Sequence, residues 1–139
     1  MQGKSIQVTQ LETRVYELNN KAEYETSLKE ILDFLNSKKI NNEDACYANL
    51  FLSDTYKRIS DYDNVLLYLD KAQAFAEKIT VNKQYYLDNI TCLKAFALFD
   101  IQHYADAKVF MQTLAKKQYV NLSMNAQAML IMQDAYLLY

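Results

Sequence analysis

The chain has no proline and a single glycine, Gly3, in 139 residues. Average usage would give roughly seven prolines and ten glycines. Because these two residues supply most hairpin turns, an all-β sandwich or barrel is excluded. Phosphate-cradling loops go with it, since neither a P-loop nor a dinucleotide fingerprint can be assembled from one glycine at the amino end. Histidine and cysteine are scarce as well: His103 stands alone, and Cys46 and Cys92 have no CxxC spacing. A structural zinc site needs four ligands and cannot be composed from this set. Charge of one sign is missing too. Fifteen Lys and Arg against seventeen Asp and Glu leave a net charge of −2, spread in short mixed clusters with no basic tract. That pattern carries no nucleic-acid footprint. No apolar run approaches the ~18 residues of a transmembrane helix, and Met1 to Gln10 hold no signal-peptide core. A cytoplasmic location is the simpler reading. Met1-Gln2-Gly3 is also how an expressed fragment would start, so a periplasmic chain without its leader fits too.

What is present is helical periodicity. Val8, Leu11, Val15 and Leu18 form one apolar stripe, and Leu28, Ile31, Leu32 and Leu35 form a second. Leu52, Tyr56 and Ile59 mark a third helix, Val65, Leu66, Leu69, Ala72 and Ala76 a fourth, and Ala95, Leu98 and Ile101 a fifth. Ala107, Met111 and Leu114 mark a sixth, and a seventh runs from about Leu122 to the end. Asn41-Asn42, Ser60-Asp61, Thr80 with Asn82, and Asn121 precede apolar runs as N-caps, each with a side-chain oxygen for an orphan backbone N–H. The predicted helices are 5–19, 22–37, 42–59, 62–79, 82–101, 104–117 and 121–139. Joints this short force neighbours antiparallel. Lys38-Lys39 and Lys116-Lys117 fall at predicted helix ends, where cations complement the macrodipole.

A tyrosine opens each even-numbered helix after a polar turn, at Tyr24, Tyr62 and Tyr104, giving spacings of 38 and 42 residues. That is a helix-hairpin repeat. The middle unit reads Asn49-x2-Leu52-Ser53-x2-Tyr56, then Tyr62, then Val65-x3-Leu69 and Ala72, and it resembles the tetratricopeptide repeat. In that resemblance Ser53 lets the hairpin close while Tyr56 and Leu69 fill the space between its helices. The next unit matches in character at Ala95-x2-Leu98, Tyr104, Ala107-x3-Met111 and Leu114, with Lys94 in place of an expected Leu. The first matches at Leu18, Tyr24, Ser27-x3-Ile31 and Phe34, with Arg14 and Val15 departing from Leu-Gly. The extra length over the basic repeat is about one and two helical turns, so each helix can lengthen and keep its buried face. The resemblance implies an all-α superhelix, a tetratricopeptide-like solenoid of about seven antiparallel helices in one domain. Its hairpins would cover about 5–37, 42–79 and 82–117, with a terminal helix at 121–139. Units of this length are similar to those in arrays of bacterial regulatory and sensor proteins.

The last helix is apolar nearly all round from Ala126 to Tyr139, apart from Gln127, Gln133 and Asp134. A helix of that kind calls for cover on several sides. The expectation is either a fragment of a longer array or a homodimer formed through Ala126 to Tyr139, because solenoids end in polar-faced caps.

Nothing in the sequence forms a catalytic constellation. His103 reads as a turn residue, Cys46 and Cys92 have no sequence-level base partner, and pairs such as Glu43-Asp44 and Asp61 with Asp63 are explained by helix N-termini. A disulfide between the cysteines is open, but apolar helical context favours buried thiols. The reading is therefore non-enzymatic, with no cofactor and no metal. A small enzyme or lipid carrier has no visible site to support it. In tetratricopeptide arrays the first helix of each hairpin lines a concave groove. Carried onto this chain, that face holds Tyr16 on the first helix, with Glu12 and Asn19 in equivalent places. On the third helix it holds Tyr47, Leu50, Phe51, Asp54 and Arg58, and on the fifth Asn89, Leu93, Phe96 and Asp100, with Phe99 beside them. Aromatic and Arg side chains are the usual anchors of protein interfaces. The expected partner is a protein or peptide, with no nucleic acid and no membrane insertion. A clamp of Lys, Asn and Arg for acidic chaperone tails, known in this family, is absent, since Glu12, Tyr16, Phe51, Asn89 and Leu93 occupy its places. The alternative role is a sensory or regulatory segment of a bacterial signalling or transcription regulator, with its effector domain beyond residue 139.

Overall fold

A computed structural model describes residues 4–37 and 39–101. The described residues are all-helical, with five helices and no strand: α1 (Ile6–Asn20), α2 (Tyr24–Leu35), α3 (Asn42–Arg58), α4 (Tyr62–Ala76) and α5 (Lys83–Asp100). Each begins within two residues of the start predicted from its apolar stripe. The sixth and seventh predicted helices, His103, Lys38 and the Ala126 to Tyr139 face lie outside the described residues. The chain divides into two compact units, Met1–Asn82 and Lys83–Tyr139.

Three of the helix starts are capped by side chains. Ser5 Oγ accepts from Val8 N at 3.1 Å, Asn41 Oδ1 from Asp44 N at 2.8 Å, and Asp61 Oδ1 from Asn64 N at 3.4 Å. Asn64 Nδ2 also donates to Asp61 Oδ2 at 2.7 Å, which holds the α4 cap from both sides. Glu23 occupies the same position before α2 but makes no side-chain capping bond.

Two reversals are built alike. At the end of α1, Ala22 N donates to Asn19 O at 3.0 Å and Glu23 N to Leu18 O at 2.9 Å. At the end of α3, Ser60 N donates to Lys57 O at 3.0 Å and Asp61 N to Tyr56 O at 3.0 Å. This is the Schellman pattern, which needs a left-handed residue just past the helix. Ala22 and Ser60 take that conformation, at φ 60° and 59°. Asn82, immediately before α5, is a third left-handed residue at φ 60°. Glycine normally fills such places, because a Cβ makes the left-handed region costly. In this chain alanine, serine and asparagine fill them instead.

The first unit is organised around α3, which packs against α1, α2 and α4, most extensively against α4. Leu11, Val15, Ile31, Ala48 and Leu52 form a buried cluster, with Leu28, Phe34, Leu35, Phe51 and Tyr68 packed against it. Small residues bring backbones together: Ala45, Ala48, Ala72 and Ala76 are buried, and Ser53 Oγ donates to Val65 O across the α3/α4 hairpin at 3.1 Å. Tyr56 stacks on Tyr68 in the same hairpin, with centroids 5.5 Å apart and planes 4° apart. Leu69, on the same hairpin, is buried as well. A buried polar chain ties three helices: Ser27 Oγ donates to Asn19 Oδ1 at 2.7 Å, and Asn19 Nδ2 donates to Thr55 Oγ1 at 3.1 Å. Buried groups of this kind must be paired, since an orphaned one costs about 1–3 kcal/mol.

Candidate functional site

The first-unit face carried by α1 and α3 is set by helical spacing. Tyr47, Phe51, Asp54 and Arg58 recur at three and four residues along α3, so they share one side of it. The Asn19–Thr55 hydrogen bond fixes α1 against α3. Tyr16 and Phe51 each lie about one turn upstream of that bond, on their respective helices.

Exposure separates these residues into floor and edge. Tyr16 is 62% exposed, an unusual degree for a tyrosine on a packed helix. Tyr47 and Phe51 are half-buried, with centroids 6.4 Å apart and planes tilted by 30°, and Phe51 leans on the core cluster. Two ion pairs flank the aromatics. Lys4 Nζ reaches Glu12 Oε2 at 2.8 Å and stands 5.5 Å from the Tyr47 ring centroid, so one ammonium serves both a carboxylate and a π face. Arg58 Nε and Asp54 Oδ2 are 3.6 Å apart, one helical turn from each other. Both pairs are exposed and contribute little to stability, about 0–1 kcal/mol each. Their effect is to neutralise the edges locally.

Asn19, one of the places assigned to this face by resemblance, is corrected by the structure. It is 2% exposed and spends both ends of its amide on Ser27 and Thr55, because its side chain points between helices. Leu50, on α3, is half-buried, and the other predicted residues lie on α5, in the second unit. There Phe96 is also a correction: at 3% exposure its ring fills the interior and offers no surface to a ligand. Asn89 is half-buried and folds back on its own helix, donating to Tyr85 O at 2.7 Å. Phe99 is half-buried, Asp100 is exposed, and Leu93 keeps 38% of its surface.

No protein-family model matches this chain, and no similar curated protein or solved structure is found.

The cysteines are free thiols, both buried. Burial, reinforced by the nearby Glu43 carboxylate, pushes the Cys46 thiol up to about 12. Burial alone pushes Cys92 up to about 12. A thiol at that value holds almost no thiolate at neutral pH, so neither acts as a ready nucleophile or metal ligand. Among the described residues no group of three or more His, Cys, Asp or Glu could hold a metal ion. No described helix is long and apolar enough to cross a membrane.

Two features escaped sequence reading. The Ser27–Asn19–Thr55 chain has a faint signal, an Asn immediately after the last stripe residue Leu18, which ordinary reading assigns to the solvent. The Lys4–Tyr47 contact joins residues 43 positions apart and leaves no local pattern.

Proposed function

We propose that this chain is a non-enzymatic protein-interaction module, a tetratricopeptide-like array that binds a peptide segment along the α1/α3 face. The observation that carries the reading is Tyr16, a largely exposed aromatic on α1, a helix packed against the one that carries the half-buried Tyr47 and Phe51. Aromatic side chains bring large contact area at low entropic cost, which is why they recur as interface anchors. The helix pairing supports the solenoid: α3 packs on α1 and on α2, as the first helix of one hairpin packs on both helices of the previous hairpin in a stacked array. The joint repeated at a 38-residue interval supports it further. Mechanistically, a bound segment lays apolar side chains over Tyr16, Tyr47 and Phe51, while Asp54 and Arg58 offer hydrogen-bonding edges that fix its direction.

The test is selection of a phage-displayed random peptide library on the whole chain, followed by affinity measurement of the selected peptides. Tyr16→Ala removes a surface ring and leaves the core untouched. It is expected to weaken binding at least about tenfold, or roughly 1.4 kcal/mol. Leu67→Ala, which trims a 44% exposed side chain on α4, should leave affinity unchanged. Peptides that bind the Tyr16→Ala protein as tightly as the wild type would overturn the reading.

A further inference from the structure

Beside the α1/α2 joint and the end of α3, the surface of the first unit sinks into an open depression of about 610 Å³, lined by Ala22, Glu23, Tyr24, Glu25, Leu28 and Ile59, among others. Its apolar part is built from both reversals. Tyr24 and Leu28 are half-buried on the first turns of α2, and Ile59, the residue closing α3, keeps 43% of its surface exposed. Its polar rim is of one sign. Glu23 and Glu25 are both exposed, and neither forms an ion pair among the described residues. Glu23 stands at the cap position of α2 without making the capping bond open to it, so its carboxylate remains available. The nearest arginine in sequence to Ile59, Arg58, is engaged with Asp54.

An apolar floor under an anionic rim matches a side chain with an aliphatic stem and a cationic head. We infer that this depression docks a lysine or arginine side chain of a partner protein, its methylenes on Tyr24, Leu28 and Ile59 and its charge between Glu23 and Glu25. The site uses no residue of the α1/α3 face. It therefore stands or falls apart from the peptide-binding proposal.

The probes are acetyl-Leu-Lys-Leu-amide and acetyl-Leu-Glu-Leu-amide, titrated into the full chain while backbone amides are followed by NMR. The lysine peptide should shift the amides of Ala22, Glu25, Leu28 and Ile59 with a dissociation constant on the order of millimolar. The glutamate peptide should bind at least about fivefold more weakly, as should the lysine peptide to a Glu23→Gln/Glu25→Gln variant. Ile59→Ala should weaken the lysine peptide with the rim charge intact, and the exposed Gln variant keeps the test decisive if that substitution perturbs folding. Equal binding of the two peptides, shifts confined to other surfaces, or no shift at all would each overturn the inference.

Discussion

Cys46 and Cys92 show how far one side chain can couple to the stability of the whole chain. Each is an uncharged thiol in the folded protein, held up to about 12 by burial first and, for Cys46, by Glu43 second. In the unfolded chain both ionise near the ordinary value of 9.0. Above that value the unfolded state releases protons that the folded state keeps, so stability falls as pH rises. The full contribution is present below pH 9 and is lost progressively toward pH 12. Chemical unfolding at pH 8 and pH 10 should show a loss of about 1 kcal/mol per thiol over that interval. Replacing one cysteine by alanine should remove about half of that slope. The burial of Tyr56, aided by Tyr68 and Asp61, raises its phenol as well and adds to the same alkaline trend. A slope unchanged in the Cys46→Ala/Cys92→Ala protein would assign the effect elsewhere. Residue-scale legibility was uneven. Val8, Leu11, Val15 and Leu18 are all buried as their stripe required, because a 3.6-residue period fixes which side of a helix meets the core. Leu32 and Ile59 belong to stripes just as regular, yet are 39% and 43% exposed, since periodicity names a face and not how far the neighbouring helix extends over it.

At the scale of the element, the five described helices were readable and the signals that stop them were not. Caps at Asn41 and Asp61 act through short side-chain oxygens whose chemistry is local, so the sequence shows them directly. The left-handed residues at Ala22 and Ser60 are invisible to the same reading, because neither residue type prefers that conformation and only the packed helices impose it. This imposition has a measurable cost. Ala22→Gly and Ser60→Gly should each stabilise the protein by about 0.5–1 kcal/mol, the relief of the Cβ clash outweighing the greater flexibility of glycine in the unfolded chain. Urea unfolding should show a higher midpoint at unchanged slope. Asn82→Gly should gain less, since asparagine tolerates left-handed backbone better than alanine or serine. If Ala22→Gly destabilises the protein, the Schellman reversal is not formed as described.

For the molecule as a whole, the composition already pointed to an all-helical chain, and the described residues form five helices and no strand. The order of packing was harder to read. Only contacts distant in sequence reveal that α3 lies against α1, α2 and α4, with the Leu52 side chain fully buried. A helix surrounded in this way opens only when its neighbours leave, so its amides should be the slowest in the first unit to exchange with solvent. Native-state hydrogen exchange is expected to show strongest protection across Ala48–Leu52, with the first turn of α1 exchanging well before it. Equal protection in α1 and α3 would contradict this hierarchy. The candidate site divides along the same line. Spacing alone placed Tyr47, Phe51, Asp54 and Arg58 on one side of a helix, whereas the burial of Asn19 and Phe96 depended on what surrounds them.

The matching reversals after α1 and α3 also bear on how such a chain can grow. Residues 24–61 leave one Schellman junction and end in another with the same bonds, so the segment begins and finishes in the same local state. A duplicate of that segment inserted after Asp61 would meet the existing chain at a junction it already makes, without any new loop. Lengthening by whole blocks is thereby a smaller step for this backbone than adding or deleting a few residues, which would break the phase between one joint and the next.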